Sequence, residues 1–157
     1  MTKILFLDID GVMLPGRAYT LPNQTSNPYV TVFDPCAVAM VNEACRKQNR
    51  KIVVHSCWVK HWSAPEIHKH LAEQGVNVDL LHEHWFTDPQ FSWRYDRVRD
   101  WLYRHKNEVT DWVVIDDELP TSKEDERFLE GHSIFTDFDE GVTMKDFRRL
   151  LDGVFPC

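Results

Sequence analysis

The chain of 157 residues contains few basic residues, few cysteines and no long apolar segment. Its 18 Lys and Arg are outnumbered by 25 Asp and Glu. The net charge of −7 argues against an extended nucleic-acid-binding surface, although it is compatible with a small pocket for one phosphate. No apolar run approaches the ~20 residues that a helix needs to span a bilayer. The N-terminus lacks a basic segment followed by a long apolar stretch, so we expect no signal peptide, and we expect no membrane partner.

The four cysteines are scattered and form no C-x-x-C pair, which disfavours a zinc site and favours a reduced, cytoplasmic protein. The eight histidines include no H-E-x-x-H motif, so we expect them to be solvated or packed. His55 precedes Ser56 on a predicted strand, which directs its side chain to the opposite face of the sheet. Cys57 is not followed by a C-x5-R loop and is therefore not predicted to be a nucleophile.

Short apolar runs alternate with amphipathic stretches along the whole chain, which predicts an α/β protein with a mostly parallel central sheet. The length and the 43% hydrophobic content predict a single domain over residues 1–157, with residues 13–33 as a possible small lid loop. The predicted strands are 3–8, 52–56, 76–81, 111–116 and 133–136. The first predicted helix begins at Asp34-Pro35. Further helices are predicted at 65–74, 93–105, 122–129 and 143–151.

Two of the predicted strands end in carboxylates. The apolar run at residues 4–7 is followed by Asp8, Ile9, Asp10 and Gly11, and the run at 112–115 is followed by an Asp-Asp-Glu sequence that begins with Asp116 and Asp117. Burying these acids together without partners is costly, which points to a divalent cation. Ligands that are all oxygen atoms favour magnesium.

The carboxylates and a hydroxyl are expected at the same edge of the sheet. Ser56 ends the predicted strand 52–56, and the carboxyl ends of parallel strands lie together. One carboxylate can act as a nucleophile and another as a proton donor, while a hydroxyl binds a phosphoryl oxygen and a cation neutralises its charge. The pattern therefore predicts chemistry on a phosphate group.

The motifs in this order resemble those of the haloacid dehalogenase (HAD) superfamily of phosphohydrolases. The matching segments are FLDIDGV at 6–12, the strand that ends in Ser56, and VVIDDE at 113–118. The stretch 13–19, the helix start at Phe33-Asp34-Pro35 and the tripeptide at 56–58 are similar to small phage and bacterial HAD domains of multidomain RNA-repair proteins. The resemblance implies a three-layer Rossmann-like HAD fold with a minimal cap or none.

The resemblance also implies a role for each motif residue. Asp8 would attack phosphorus and form an aspartyl-phosphate, and Asp10 would protonate the leaving oxygen and then activate water. Asp8, the backbone carbonyl of Asp10 and Asp116 would bind Mg²⁺, with help from Asp117. Ser56 would bind the phosphoryl group.

One position departs from the HAD pattern. The superfamily usually supplies a lysine near the start of the helix before the acidic strand, but no lysine lies between Lys69 and Lys106. Arg94 stands at the matching point, with Arg97 as a second candidate, and an arginine can bind a phosphate with two hydrogen bonds.

Further contacts to the substrate are predicted around this centre. The residues concerned are Gly11, Arg17, Tyr19, Cys57 and Trp58. The aromatic residues Trp58, Trp62, Trp85 and Phe86 fit either core packing or a wall on which a base stacks.

The combined prediction is a Mg²⁺-dependent phosphomonoesterase whose substrate is a phosphorylated small molecule, such as a nucleotide, or a nucleic-acid end. The small or absent cap leaves the site open to a large substrate, whereas the net negative charge favours a small nucleotide. The alternative is a catalytically weak module that binds a phosphorylated ligand or partner, which the missing lysine suggests. A phosphotransferase would need a larger cap that encloses the substrate, which this chain length hardly allows. The sequence does not indicate the oligomeric state.

Overall fold

The computed structural model describes residues 1–22 and 32–153, in which five strands alternate with five helices. The strands are β1 (Thr2–Leu7), β2 (Arg50–Val54), β3 (Leu81–Phe86), β4 (Val109–Asp116) and β5 (Ser133–Phe135). The helices are α1 (Pro35–Gln48), α2 (Ala64–Glu73), α3 (Arg94–Arg104), α4 (Lys123–Leu129) and α5 (Met144–Asp152). The α/β class is therefore confirmed.

The five strands form one sheet in the order β3-β2-β1-β4-β5, and every neighbouring pair is parallel. At the carboxyl end of β1, Leu7 pairs with Val54 of β2 and with Ile115 of β4. The next residues of three adjacent strands therefore emerge at one edge of the sheet. In α/β sheets this edge is where ligands bind.

Helices cover both faces of the sheet, which gives the three layers of a Rossmann-like fold. Leu5 and Leu7 of β1 belong to a buried cluster that includes apolar residues of α1, α2 and α5. Ile4 and Phe6 belong to a second cluster with residues of α3 and α4. This alternation follows from the strand geometry, in which successive side chains point to opposite faces.

The predicted helix ends are confirmed by their capping contacts. Asp34 precedes α1, and its Oδ1 accepts hydrogen bonds from the backbone N–H groups of Cys36 and Ala37 at 2.8 and 3.2 Å. Pro35 occupies the first helical position, where no N–H is needed. Gly75 follows α2 with a φ of 86°, the left-handed conformation expected after a helix.

The strand predicted at 76–81 is wrong. Val78–Leu80 form a 3-10 turn, and the strand follows at Leu81–Phe86. The side chain of Asn77 accepts a hydrogen bond from the N–H of Asp79 at 3.1 Å and stabilises the turn. The true strand lies at an edge of the sheet, and its polar sequence LHEHWF gives little hydrophobic periodicity from which to predict it.

The predicted lid loop is only partly within the described residues. Gly16–Thr20 form a 3-10 turn, and residues 23–31 lie outside the described residues. The division of the chain into one domain with such a lid stays a prediction. Within residues 1–22 and 32–153, none of the helices combines the length and apolar character needed to cross a membrane.

Candidate active site

The structure brings together three of the predicted metal ligands. The N–H of Asp8, directly after β1, donates to the carbonyl of Ile115 at 3.1 Å, which places Asp8 beside the end of β4. Carboxylate oxygens of Asp8, Asp116 and Asp117 lie within 4.8 Å of one another. Asp8 and Asp116 are 1% and 0% exposed. A cluster of buried carboxylates requires positive charge close by.

Gly11 allows the turn after β1 to pass close to Asp117. Its φ is 68°, and a Cβ at this position would lie 2.6 Å from the Cβ of Asp117. The Oγ1 of Thr136, which follows β5, donates a hydrogen bond to the carbonyl of Gly11 at 2.8 Å. The turn therefore requires glycine for its conformation and for the space it leaves to Asp117.

Replacement of this glycine tests that requirement. We expect Gly11→Ala to lower the free energy of unfolding by about 2 kcal/mol or more, because it combines a left-handed φ with a steric clash. Gly131→Ala is the matched control, since Gly131 has a φ of 72° and a Cβ added there would have no neighbour within 4 Å. Urea denaturation should show a clearly larger loss for Gly11→Ala. Equal losses of unfolding free energy in the two variants would show that the space left for Asp117 contributes nothing to stability.

Arg94 supplies positive charge to the carboxylate cluster. Its Nη1 donates a hydrogen bond to Asp8 Oδ2 at 2.8 Å and another to Asp116 Oδ1, and its Nη2 lies 2.9 Å from Glu118 Oε2. The residue opens α3, so the start of this helix directs the guanidinium to the ends of β1 and β4. This is the position at which the sequence predicts a substitute for the usual lysine, and the catalytic role itself stays a prediction.

Burial and mutual repulsion raise the pKa values of the carboxyl groups. Burial and the nearby charge of Asp8 raise the pKa of Asp116 to about 8, although the guanidinium of Arg94 opposes the shift. The same two causes, burial first and Asp8 second, raise the pKa values of Asp10 and Asp117. The ionised cluster is thus destabilised, and a bound cation would relieve it.

The raised pKa of Asp116 has a consequence for stability in metal-free protein. Between pH 3.8 and about 8 the folded state holds a proton that the unfolded state releases, so this group's stabilising contribution is lost as pH rises through that window. We expect Asp116→Asn to raise the free energy of unfolding at pH 8 by about 2 kcal/mol or more, with little gain at pH 4.

Urea denaturation in the presence of chelator at both pH values checks this prediction. Asp152→Asn makes the same chemical change at an exposed residue at the end of α5 and should leave the stability nearly unchanged at either pH. A destabilised Asp116→Asn protein at pH 8 would contradict the prediction. It would show that the ion pairs with Arg94 outweigh the cost of burying the charge.

Asp10 lies in a separate hydrogen-bonded group next to the cluster. The indole Nε1 of Trp58 donates to Asp10 Oδ2 at 2.9 Å, and the Sγ of Cys57 lies 3.7 Å from the same oxygen. Burial and the charge of Asp10 raise the pKa of Tyr19, whose side chain is about half exposed. Trp58 and Cys57 thus contact Asp10, and the charge of Asp10 acts on Tyr19. Their contact with a substrate stays a prediction.

Ser56 lies after β2, next to the end of β1. The N–H of the preceding residue, His55, donates to the carbonyl of Leu7 at 3.1 Å, which holds the end of β2 beside the end of β1. Ser56 is fully buried, and its Oγ accepts a weak hydrogen bond from the N–H of Trp58 at 3.4 Å at the start of the turn Cys57–Lys60. Binding of a phosphoryl group by this hydroxyl stays a prediction.

Arg17 is directed to another part of the molecule. Its Nε lies 2.6 Å from Asp34 Oδ2, and its Nη2 donates to the carbonyl of Val142 at 3.4 Å. Arg17 therefore links the start of α1 to the segment before α5. Its predicted contact with a substrate has no support from these hydrogen bonds and stays a prediction.

The aromatic residues pack against one another. Trp58 lies 5.1 Å from Trp62 and 5.9 Å from Phe33 between ring centroids, and Trp85 lies 5.2 Å from Phe86. Trp58 is 7% exposed, which fits the core-packing alternative at this position better than a wall for base stacking.

Sequence reasoning missed the position of His55. Its ring is fully buried, and Nε2 lies 3.6 Å from Asp116 Oδ2. Burial lowers the pKa of His55 to about 4, so the ring is neutral at pH 7. Strand alternation correctly separates His55 from Ser56, but only the pairing of neighbouring strands reveals that this face of the sheet leads to Asp116. Only the register between the parallel strands could have indicated that His55 lies beside Asp116.

The fold and the site define the class of protein. A Rossmann-like parallel sheet carries a cluster of aspartates at the carboxyl ends of β1 and β4, which is the arrangement that the resemblance to the HAD superfamily implies. The family model described as the HAD domain in Swiss Army Knife RNA repair proteins matches residues 4–147, and the chain belongs to this family. Membership indicates a phosphohydrolase-type role in RNA repair. Searches of the curated proteins and of the solved structures give no match.

Proposed function

We propose that the protein is a Mg²⁺-dependent phosphomonoesterase that removes a terminal phosphate from a nucleotide or a nucleic-acid end. The main support for the proposal is that Asp8, Asp116 and Asp117 lie close together at the carboxyl edge of the sheet. The guanidinium of Arg94 donates hydrogen bonds to the first two of them. Such a centre combines a nucleophile, a metal-binding set and a positive charge for a phosphate.

The carboxylates fit a magnesium ion in number and chemistry. Asp8, Asp116 and Asp117 each offer an oxygen within 4.8 Å of the others, and Mg²⁺ prefers oxygen ligands. Asp116 Oδ2 is buried and has no hydrogen-bond partner among the described residues, which suits an oxygen that binds a cation. When bound, the ion would neutralise charge on the phosphoryl oxygens.

Side chains of the protein would carry out the remaining steps. A carboxylate oxygen of Asp8 would attack phosphorus while the bond to the leaving oxygen breaks, and the carboxyl of Asp10 would give that oxygen a proton. Asp10 would then take a proton from a water molecule that attacks the phosphorus of the aspartyl-phosphate, which releases phosphate and restores Asp8. The raised pKa of Asp10, caused first by burial and then by Asp8, favours the protonated form that this role needs.

Family membership supports a nucleic-acid end as the substrate class. The family is named for RNA-repair proteins, and repair of a strand break acts on terminal phosphates. Among the described residues, the regular elements near the site outside the sheet and its helices are short 3-10 turns, such as Gly16–Thr20 and Cys57–Lys60.

Phosphate release from a panel of substrates tests the proposed function. The panel contains nucleoside monophosphates with the phosphate at the 2′, 3′ or 5′ position, oligonucleotides phosphorylated at either end, and an aryl phosphate, each with Mg²⁺ or with chelator. We expect release that depends on Mg²⁺. The absence of release from every member, in protein shown to be folded by circular dichroism, would reject the phosphatase.

One observation favours a second candidate, a module that binds phosphorylated ligands without turnover. Both carboxylate oxygens of Asp8 already accept hydrogen bonds, Oδ1 from the N–H of Ile9 at 2.8 Å and Oδ2 from Arg94 at 2.8 Å. Each oxygen keeps a second lone pair, but the hydrogen bond and the positive charge of Arg94 lower the nucleophilicity of Asp8 Oδ2. Tight binding of a phosphorylated oligonucleotide without release of phosphate would favour this alternative.

A further inference from the structure

A cavity is lined in part by Arg94, which also contacts the carboxylate cluster. It has a volume of about 170 Å³ and is bordered by the turn Cys57–Lys60 and the start of α3. At ~30 Å³ per water molecule this volume equals about six waters, so it can accept one phosphate group. The metal-ligand candidates Asp8, Asp116 and Asp117 do not line it, and Arg94 borders both sites.

Arg97 places a buried positive charge beside this cavity. The side chain lines the cavity and the residue is only 2% exposed, while its Nη2 donates a hydrogen bond to the carbonyl of His55 at 3.0 Å. Among the described residues, Nε and Nη1 have no hydrogen-bond partner, and no carboxylate forms an ion pair with Arg97. The charges of Asp8 and Asp116 act on the guanidinium of Arg97 without forming an ion pair with it. A buried guanidinium without an ion-pair partner is unfavourable, and an anion in the cavity would reduce that cost.

The other charged groups around the cavity favour an anion as well. The Nζ of Lys60 is held at the rim by the carbonyl of Ser92 at 3.0 Å. Glu118 is the acidic residue of the lining, and its carboxylate lies 2.9 Å from Arg94 Nη2. Arg94 is therefore largely neutralised by its own carboxylates, whereas Arg97 and Lys60 form no ion pair among the described residues. The cavity also borders the N-terminus of α3, where backbone N–H groups favour anions.

We propose that this cavity, defined by Arg97 and Lys60, binds a second phosphate of the substrate while the first phosphate lies at Asp8. The inference rests on the proposed function in one respect, the place of the first phosphate. It narrows the substrate class to molecules that carry two neighbouring phosphate groups. An oligonucleotide with a terminal phosphate and a nucleoside bisphosphate both meet this condition.

Equilibrium binding to the Asp8→Asn protein tests the subsite without the need for turnover. Titration calorimetry with Mg²⁺ compares adenosine 3′-monophosphate, adenosine 3′,5′-bisphosphate and a dinucleotide with a terminal 3′-phosphate. We expect the second phosphate to tighten binding about tenfold, as one or two charge-assisted hydrogen bonds would. A gain with the dinucleotide identifies an internucleotide phosphate as the occupant, and a gain with the bisphosphate alone identifies a small nucleotide.

Substitutions in the cavity identify the residues that produce the gain. Arg97→Gln and Lys60→Ala, each made in the Asp8→Asn protein, should reduce the tenfold preference to about twofold or less. Lys69→Ala is the matched control, because Lys69 is an exposed residue of α2 that pairs with Glu73 and should leave the preference intact. Lys60 lies at the rim, so its variant keeps the test valid if Arg97→Gln does not fold.

The outcomes separate this inference from the proposed function. Equal binding of ligands with one and two phosphates, or a preference that survives both cavity substitutions, would overturn the subsite whether or not the wild type releases phosphate. A preference that is lost in the variants supports the subsite. If the wild type then releases no phosphate from any substrate, the phosphatase fails and the subsite stands as part of a binding module.

Discussion

Asp8→Asn is expected to lower phosphate release by about 10³-fold or more, because the amide that replaces the carboxylate cannot act as the nucleophile. The side chain stays nearly isosteric, and its oxygen can still accept the hydrogen bond from the N–H of Ile9. The measurement is kcat/KM with the best substrate of the panel and with an aryl phosphate. Both should fall together, since both reactions need the same nucleophile.

The stability of the variant distinguishes a lost nucleophile from a damaged fold. Asp8→Asn removes one cause of the raised pKa of Asp116 but also the ion pair with Arg94, so the two effects oppose each other and the variant should stay folded at neutral pH in chelator. Asp79→Asn makes the same change at an exposed residue of the turn Val78–Leu80 and should keep full activity. A folded Asp8→Asn protein with more than a tenth of the wild-type activity would exclude Asp8 as the nucleophile.

Arg94→Met is expected to lower kcat/KM by about 10²- to 10³-fold, because the charge that faces the phosphate and the nucleophile is lost. It should also destabilise the metal-free protein by about 3 kcal/mol at neutral pH, since Asp8 would remain buried without its charged partner. Mg²⁺ should recover part of this stability. Arg94→Lys keeps the charge and should stay within about tenfold of the wild-type activity, although it loses the two-armed geometry of the guanidinium.

Arg99→Met is the matched control for this experiment. Arg99 lies on the same helix and forms ion pairs with Asp96 and Asp125, but it does not contact the carboxylate cluster. The control should lose stability and keep its activity. Equal losses of activity in the two variants would mean that Arg94 acts only through the stability of α3, and full activity of a folded Arg94→Met protein would remove Arg94 from the catalytic site.

The residues that the sequence predicted most accurately are those whose signals are local. The first acidic motif follows an apolar run that must be buried, and Gly11 marks the turn that ends it. Asp34 and Pro35 mark the start of α1 because a capping side chain and a proline act on neighbouring backbone groups. β3 was misplaced for the opposite reason. An edge strand has few buried residues, and its local pattern is weak.

The candidate site could be anticipated in its carboxylates and in Arg94, but not in its contacts. The aspartates follow strands whose parallel pairing places them at one edge, and this could be inferred from the alternating pattern. The burial of His55 beside Asp116 depends on the register between β2, β1 and β4. No spacing within a single segment carries that information.

The sequence by itself determined the class of fold, the order of the acidic motifs and the absence of the usual lysine. Only the tertiary structure decided that Arg94 contacts Asp8, which lies 86 residues away in the chain, and that Arg97 is buried beside a cavity without a carboxylate partner among the described residues. The physical reason is the range of the interactions. Strands, turns and caps arise from neighbouring residues, whereas the rotation of α3 and the contacts of its arginines depend on how the helix packs against the sheet.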